Sequence, residues 1–221
     1  MISHRMIEIA KMVKTGMAVA DIGTDHAFLP IYLVENGISP HVYACDVREG
    51  PLAIARKNIA SAGFSSKIDT ILCDGFDKVP ADAEIAVIAG MGFYTARKII
   101  EDAAEKIQGY KEIIVEVNRD VIQLRQWISE KRYTVTQEKY IIDKGHDYIA
   151  IAFCTDLSAP LNEEEIITGT ALLEKNDPLY QAYCCRQIEK IKKILSVCQQ
   201  EDERIPELKH RLGLWEKQIK T

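Results

Sequence analysis

The chain has 221 residues, with 28 Lys and Arg against 33 Asp and Glu, a net charge of −5, and 47% hydrophobic residues. That length supports one ordinary core plus an appendage, and the composition excludes a disordered or collagen-like chain. The acidic balance argues against non-specific nucleic-acid binding, no apolar run approaches the roughly 20 residues of a membrane span, and the first residues lack a signal-peptide core. A cytoplasmic protein is expected. Its six cysteines (45, 73, 154, 184, 185 and 198), with no C-x-x-C pair, read as reduced packing residues without a metal or disulfide role.

The first two-thirds alternate strand-like and helix-like segments. Strands are expected at 18–22, 41–46, 68–73, 84–89 and 112–117, with helices near 26–36, 50–62, 94–107 and 120–131. Short strands that are apolar almost throughout are covered on both faces, so this repetition predicts a parallel sheet with right-handed crossovers. The pattern then changes. Tyr133–Ile142 and Tyr148–Phe153 flank Asp143-Lys144-Gly145, which leaves no room for a helix and predicts an antiparallel hairpin. Five β-α units closed by a hairpin resemble the seven-stranded, Rossmann-like α/β sheet of class I methyltransferases.

Residues 154–161 read as a linker. Asn162-Glu163-Glu164-Glu165 then offers a helix cap and an acidic first turn suited to the positive end of the helix dipole. Ile188, Ile191, Leu195 and Cys198 recur at spacings of three and four. So do Ile205, Leu208, Leu212, Trp215 and Ile219, after an interruption near Glu201–Arg204 and Pro206. Two helices zipped antiparallel into a coiled-coil appendage follow. The expected division is 1–155 for the α/β domain and 156–221 for the helical one.

Residues 18–30 carry the most chemistry. A short apolar run ends in Asp21, turns at Gly23 and enters an amphipathic segment, as a first strand hands over to a first helix around a nucleotide. The dinucleotide fingerprint G-x-G-x-x-G is absent, because Thr24, Asp25 and His26 follow Gly23. A pyrophosphate beside Asp21 and Asp25 would be repelled. S-adenosylmethionine, carrying a sulfonium and an ammonium, would be attracted. Asp46, ending the second strand about 25 residues after Asp21, is placed to accept from a ribose diol. Cys73-Asp74-Gly75 ends the third strand likewise, with Asp74 toward an adenine amino group or simply forming an Asp-Gly turn. The small residues Ala89, Gly90, Met91 and Gly92 leave a floor for donor and target. Phe93 and Tyr94 then either stack a flipped base or enter the core. His26 reads as a cap, a ligand contact or a general base; Asp25 as a cleft-mouth carboxylate or a helix cap; Asn118 as a cap or a substrate contact.

The run Asp21-Ile22-Gly23-Thr24-Asp25-His26-Ala27-Phe28-Leu29-Pro30 continues through Gly50-Pro51, Asp74-Gly75, Ala89-Gly90-Met91-Gly92, Asn118 and Arg125-Gln126-Trp127-Ile128. In these motifs the chain resembles the bacterial tRNA (adenine-22-N1)-methyltransferases, and its helical appendage matches their C-terminal coiled-coil region. The resemblance implies S-adenosyl-L-methionine as donor, S-adenosyl-L-homocysteine as product and tRNA as acceptor. Donor contacts would fall on Asp21, Gly23, Thr24, Asp25, His26, Leu29, Pro30, Asp46, Val47, Cys73, Asp74, Gly75, Ala89, Gly90, Met91 and Gly92, and substrate contacts on Phe93 and Tyr94. Asp25, Glu116 and Asn118 are the catalytic candidates, as acceptors for the adenine N6–H while the base becomes cationic. Arg186, Lys190, Lys192, Lys193, Lys209 and Arg211 are available to RNA, or form a solvated helix face. Two sites depart from the family pattern: Phe93 stands where it ends G-M-G-G, and Glu116-Val117-Asn118 where it reads Q-P-N. Two alternatives stand beside this reading. One is a related donor-binding protein with another acceptor or lost activity; the other is an interaction module built on the coiled coil.

Overall fold

The structure, a computed structural model, describes residues 2–198 and 202–219. Helix α1 (His4–Ala10) opens the chain, capped by the Ser3 hydroxyl, which accepts from the Met6 N–H. There follow β1 (Val19–Ile22), α2 (Phe28–Glu35), β2 (Val42–Asp46), α3 (Glu49–Ala62), β3 (Ile68–Leu72), β4 (Ile85–Met91) and α4 (Phe93–Asp102). A 3-10 turn at Lys106–Gly109 ends the stretch predicted as one helix. Then come β5 (Glu112–Val117), α5 (Val121–Lys131), β6 (Tyr133–Asp143), β7 (His146–Leu157), α6 (Glu163–Thr168), α7 (Pro178–Val197) and α8 (Ile205–Glu216).

The seven strands form one sheet in the order β3-β2-β1-β4-β5-β7-β6. The first five are parallel, and β7 inserts antiparallel between β5 and β6. β1, β2 and β5 are buried along their whole length, which is why they show no apolar–polar alternation, with Asp21, Asp46, Glu112 and Glu116 as buried acids among apolar residues. Helices α1, α2 and α3 cover one face, packing Ile9, Leu33 and Ile59 against Val19 and Val87. The other face carries α4 and α5, and the C-terminal helices join the same core. Tyr180, Cys184, Leu214 and Trp215 share a cluster with Trp127, Ile151 and Phe153.

Two differences from expectation matter. Helix α1 has only seven residues, too few for its apolar spacing to stand out in the sequence. β7 runs on to Leu157, because its polar end pairs with Tyr133 and Thr134, so residues 154–157 are strand and the 155/156 division falls inside β7. α7 and α8 do run antiparallel: Gln181 Nε2 donates to the Gln218 carbonyl at 2.8 Å and Tyr183 packs edge-on to Trp215 at 5.6 Å. Glu201, in the expected interruption, lies outside the described residues. The helix cap at the start of α6 is as read, and it is a full capping box, with Asn162 accepting from the Glu165 N–H and Glu165 accepting from the Asn162 N–H.

A buried ion pair fastens the appendage. Arg125 Nε donates to Glu138 Oε1 at 2.7 Å, and Arg125 Nη1 donates to the Ile166 carbonyl at 3.1 Å. Glu138 Oε2 accepts from the Thr170 N–H and hydroxyl at 2.7 and 2.8 Å. Both charges have lost their water, so these contacts replace hydration and tie α5 and β6 to the chain after α6.

Candidate active site

Parallel pairing brings the C-terminal ends of β1 to β4 to one edge, where their loops enclose a cleft of about 790 Å³. Its floor depends on Gly23. That residue has φ +81°, a conformation glycine adopts without strain, and a Cβ there would stand 2.2 Å from Met91 Cε and push that flexible methyl aside. The Gly23 and Thr24 N–H groups both donate to the Cys45 carbonyl at 2.8 Å. Asp25 and Ala27 then adopt left-handed φ of +52° and +59°, a conformation that costs roughly 1–2 kcal/mol for a residue with a Cβ. Asn58 Nδ2 holds the turn by donating to the His26 carbonyl at 3.0 Å. Neither Asp25 nor His26 caps α2, whose N-cap is Ala27 without a side-chain bond. Asp25 instead leaves its carboxylate exposed on the cleft, 3.5 Å from His26 Nε2.

The cleft is acidic. Asp21, Asp25, Asp46, Asp74 and Asp102 line it against Arg5, Arg48 and Lys98. Asp21 is buried, which pushes its carboxyl up to about 7, with the Asp46 carboxylate adding to the shift. Asp46 is also buried and held by backbone donors, Oδ1 accepting from Arg48 N–H at 2.9 Å and Oδ2 from Asp25 N–H at 3.4 Å. Asp74 follows β3 in the open, and Gly75, at φ +52°, turns the chain close under Ile99. A pocket of this size and sign fits a cationic nucleoside: a glycine floor, a fixed carboxylate at the β2 tip, and an excess of negative charge.

Of the predicted donor contacts, Asp21, Gly23, Thr24, Asp25, His26, Leu29, Asp46, Val47, Cys73, Asp74, Gly75, Ala89, Gly90 and Met91 line this one cleft. Pro30 is buried within α2 and Gly92 is the N-cap of α4; neither lines it. Phe93 and Tyr94 also lie off it. Phe93 is 4% exposed, on the buried face of α4 with Ala96 and Ile100, while Tyr94 is 71% exposed. Phe93 therefore does not narrow the cleft. The aromatic that does line it, unsingled in the sequence, is Phe28, 40% exposed and edge-on to His26 at 5.9 Å.

Glu116 and Asn118 stand behind Gly90 and do not line the cleft. Glu116 is fully buried, with Oε2 accepting from the Gly90 N–H at 3.0 Å and from Arg5 Nη1 at 2.9 Å. Burial pushes its carboxyl up, and Arg5 and the Gly90 N–H pull it back. Asn118 does not cap α5, whose N-cap is Asp120. Its Oδ1 accepts from Arg5 Nη1 at 3.3 Å and its Nδ2 donates to the Gly90 carbonyl at 2.7 Å. Arg5, which does line the cleft, has its partners more than a hundred positions away, so no local pattern marks it.

Comparison with known proteins gives this geometry a lineage. The "Methyltransferase domain" family model matches residues 2–151. TrmK of M. capricolum, solved with the cofactor product S-adenosyl-homocysteine, superposes with a TM-score of 0.86 and 32% identity, covering 98% of this chain and 97% of that one. This chain belongs to the methyltransferase-domain family, in its TrmK branch. A second methyltransferase structure, Streptococcus pneumoniae Sp1610 in complex with S-adenosyl-L-methionine, superposes at a TM-score of 0.88 and 25% identity over the full length of both chains. The Bacillus subtilis tRNA (adenine(22)-N(1))-methyltransferase is 28% identical over 170 residues, 76% of this methyltransferase and 71% of its own chain. Among the described residues no group of three or more His, Cys, Asp or Glu is placed to hold a metal, and no helix is long and apolar enough to cross a membrane.

Proposed function

We propose that this chain is a cytoplasmic S-adenosyl-L-methionine-dependent methyltransferase that modifies N1 of adenine 22 in tRNA. The observation that carries the proposal is the aspartate-lined, glycine-floored cleft at the ends of β1 to β4, in a chain that aligns end to end with a TrmK. The sheet and its helices through Leu157 hold the transfer site, and the helices that follow form the appendage.

When bound, the donor supplies a methyl group on a positively charged sulfur. Asp46, pinned by two backbone N–H groups, keeps lone pairs for the ribose hydroxyls. Asp74 and Gly75 flank the adenine, and Asp21 with Asp25 gives the negative field that favours a cation. Adenine N1 already carries an exposed lone pair, so the residues here position it and need not deprotonate it. Positive charge grows on the base as N1 is alkylated, and an acceptor for its N6–H lowers the barrier. Asp25 takes that role because it lines the cleft: Glu116 is buried off it, with Oε2 on Arg5 and Gly90, and the Asn118 carbonyl is held by Arg5. Glu116 and Asn118 then act through the Gly90 turn they hold. Phe28 offers its ring to an unstacked base. On the appendage, Arg186, Lys192 and Arg211 pair with Asp147, Glu216 and Glu207. Lys190, Lys193 and Lys209 have no side-chain partner among the described residues and are the first RNA contacts to test.

Methyl transfer from labelled donor to unmodified tRNA transcripts, with each D-arm adenine replaced in turn, tests the acceptor. Incorporation should vanish only when adenine 22 is replaced, and transfer that ignores that change would overturn the assignment. Asp25→Ala should slow transfer about 100-fold; full activity would remove Asp25 from the scheme.

A further inference from the structure

Four of the six cysteines, at 154, 184, 185 and 198, are spread along β7 and α7. The other two end neighbouring parallel strands. Cys45 faces Ile71 in the β2–β3 register, and Cys73 follows two residues later, just past the end of β3. The Cys73 N–H donates to the Asp46 carbonyl at 3.1 Å. Residues two apart share a face, so both thiols enter one cluster, where they hydrogen-bond to each other. Both also line the cleft, Cys73 at 6% exposed and Cys45 at 1%.

The two sulfurs are not equivalent. The Cys45 S–H donates to Cys73 and pulls its thiol down to about 7, against the cost of burial and with help from Lys78. The same bond, with burial, pushes the Cys45 thiol up. One sulfur is thus ready to attack while its neighbour keeps a proton, the division between a reactive and a resolving thiol. Their place matters to the cleft. The Cys45 carbonyl holds the Gly23 and Thr24 N–H groups at 2.8 Å, and Asp46 and Asp74 are the next residues along.

We infer that Cys45 and Cys73 form a reversible disulfide that closes the cleft to its nucleoside, with hydrogen peroxide as the oxidant. The Cys73 thiolate attacks one peroxide oxygen, the O–O bond breaks, and a sulfenic acid forms as hydroxide leaves. The proton that Cys73 gave up neutralises that hydroxide. The Cys45 sulfur then attacks the Cys73 sulfur, the S–O bond breaks, and the second hydroxide leaves as water with the Cys45 proton. In sum two thiols lose two electrons and two protons, and one peroxide becomes two waters. A disulfide of about 2.05 Å is shorter than any thiol hydrogen bond, so closing it draws the ends of β2 and β3 together. Asp46, Asp74 and the loop resting on the Cys45 carbonyl shift with them. The disulfide needs no donor to form; its effect on binding rests on the donor-site reading above.

The test oxidises the reduced full chain with hydrogen peroxide, alkylates the remaining thiols and maps cross-linked peptides by mass. Calorimetry follows S-adenosyl-L-homocysteine binding before oxidation, after it, and after dithiothreitol. A Cys45–Cys73 linkage should form, and affinity should fall at least about 10-fold, the equivalent of one charged hydrogen bond. Dithiothreitol should restore it. Cys73→Ser should bind equally with and without peroxide, and Cys45→Ser should stop at a sulfenic acid on Cys73 that dimedone labels. Absence of the linkage in the wild type overturns the inference with no variant needed. A linkage that leaves affinity within about twofold overturns it too, as does a fall in Cys73→Ser as large as that of the wild type. A reduced wild type that does not bind S-adenosyl-L-homocysteine defeats the donor-site reading instead, while the mass map still judges the disulfide.

Discussion

Asp21 sits at the base of the cleft with most of its hydration removed, and burial holds its carboxyl at about 7. The folded chain therefore keeps a proton that the unfolded chain releases near the usual value of about 3.9. The group's contribution to stability is full below that value and is lost as pH rises through about 7, a swing of about 4 kcal/mol. Thermal unfolding at about pH 5 and about pH 8 should show a smaller drop for Asp21→Asn than for wild type; parallel behaviour would place the pH dependence elsewhere. A bound cation favours the ionised form, so donor affinity should rise over the same interval. Gly23→Ala meets two obstacles, the positive φ and the Met91 methyl, and should cost about 1–2 kcal/mol from the backbone alone in denaturant unfolding. An unchanged midpoint would mean that the loop can move away from β4. Residue types at strand ends were readable because a parallel sheet delivers every such end to one edge. Phe93 was not, since its direction is set by the face of α4 it starts.

Elements were readable to the extent that their signal is local. The five parallel strands and their helices announce themselves by apolar runs between turn residues. The ends of β7 do not, because its final polar residues are strand only by pairing with β6. Helix α1 is short and anchored at a distance, its Arg5 reaching β5. The Arg125–Glu138 clasp is a similar long-range contact between α5, β6 and the chain after α6. Arg125→Met should cost about 3–5 kcal/mol, because it leaves Glu138 buried and unpaired. Adding Glu138→Gln should recover part of that loss in urea unfolding, since the amide can still meet Thr170. Equal losses in the single and double variants would show that the ion pair is not what fastens these elements.

At the scale of the molecule, the C-terminal hairpin belongs to the main core and is not a free appendage. Tyr180, Cys184, Leu214 and Trp215 cover Phe153 and its neighbours, so chains ending after β7 would expose that surface. Unfolding of the full chain should be a single transition by fluorescence and circular dichroism, and a chain ending at Ala159 should lose cooperativity. Two separate transitions would mean that the helices and the sheet are independent units. The acceptor, by contrast, was never readable from the net charge of −5. Bulk charge reports on non-specific attraction, whereas this cleft and its lineage concern one base.

The strand order has a consequence for how the protein is made. β5, α5 and β6 alone are an ordinary crossover unit, whose default is β6 lying parallel beside β5. The native sheet instead places β7 between them. β5 is complete at Val117, yet its partner ends at Leu157, about 40 residues or roughly 2–8 s of translation later at about 5–20 residues per second. Throughout that interval β5 has an open edge of unpaired backbone groups, and once Asp143 is made β6 is a tempting wrong neighbour. The ribosome thus delivers last the strand that must arrive between two already made.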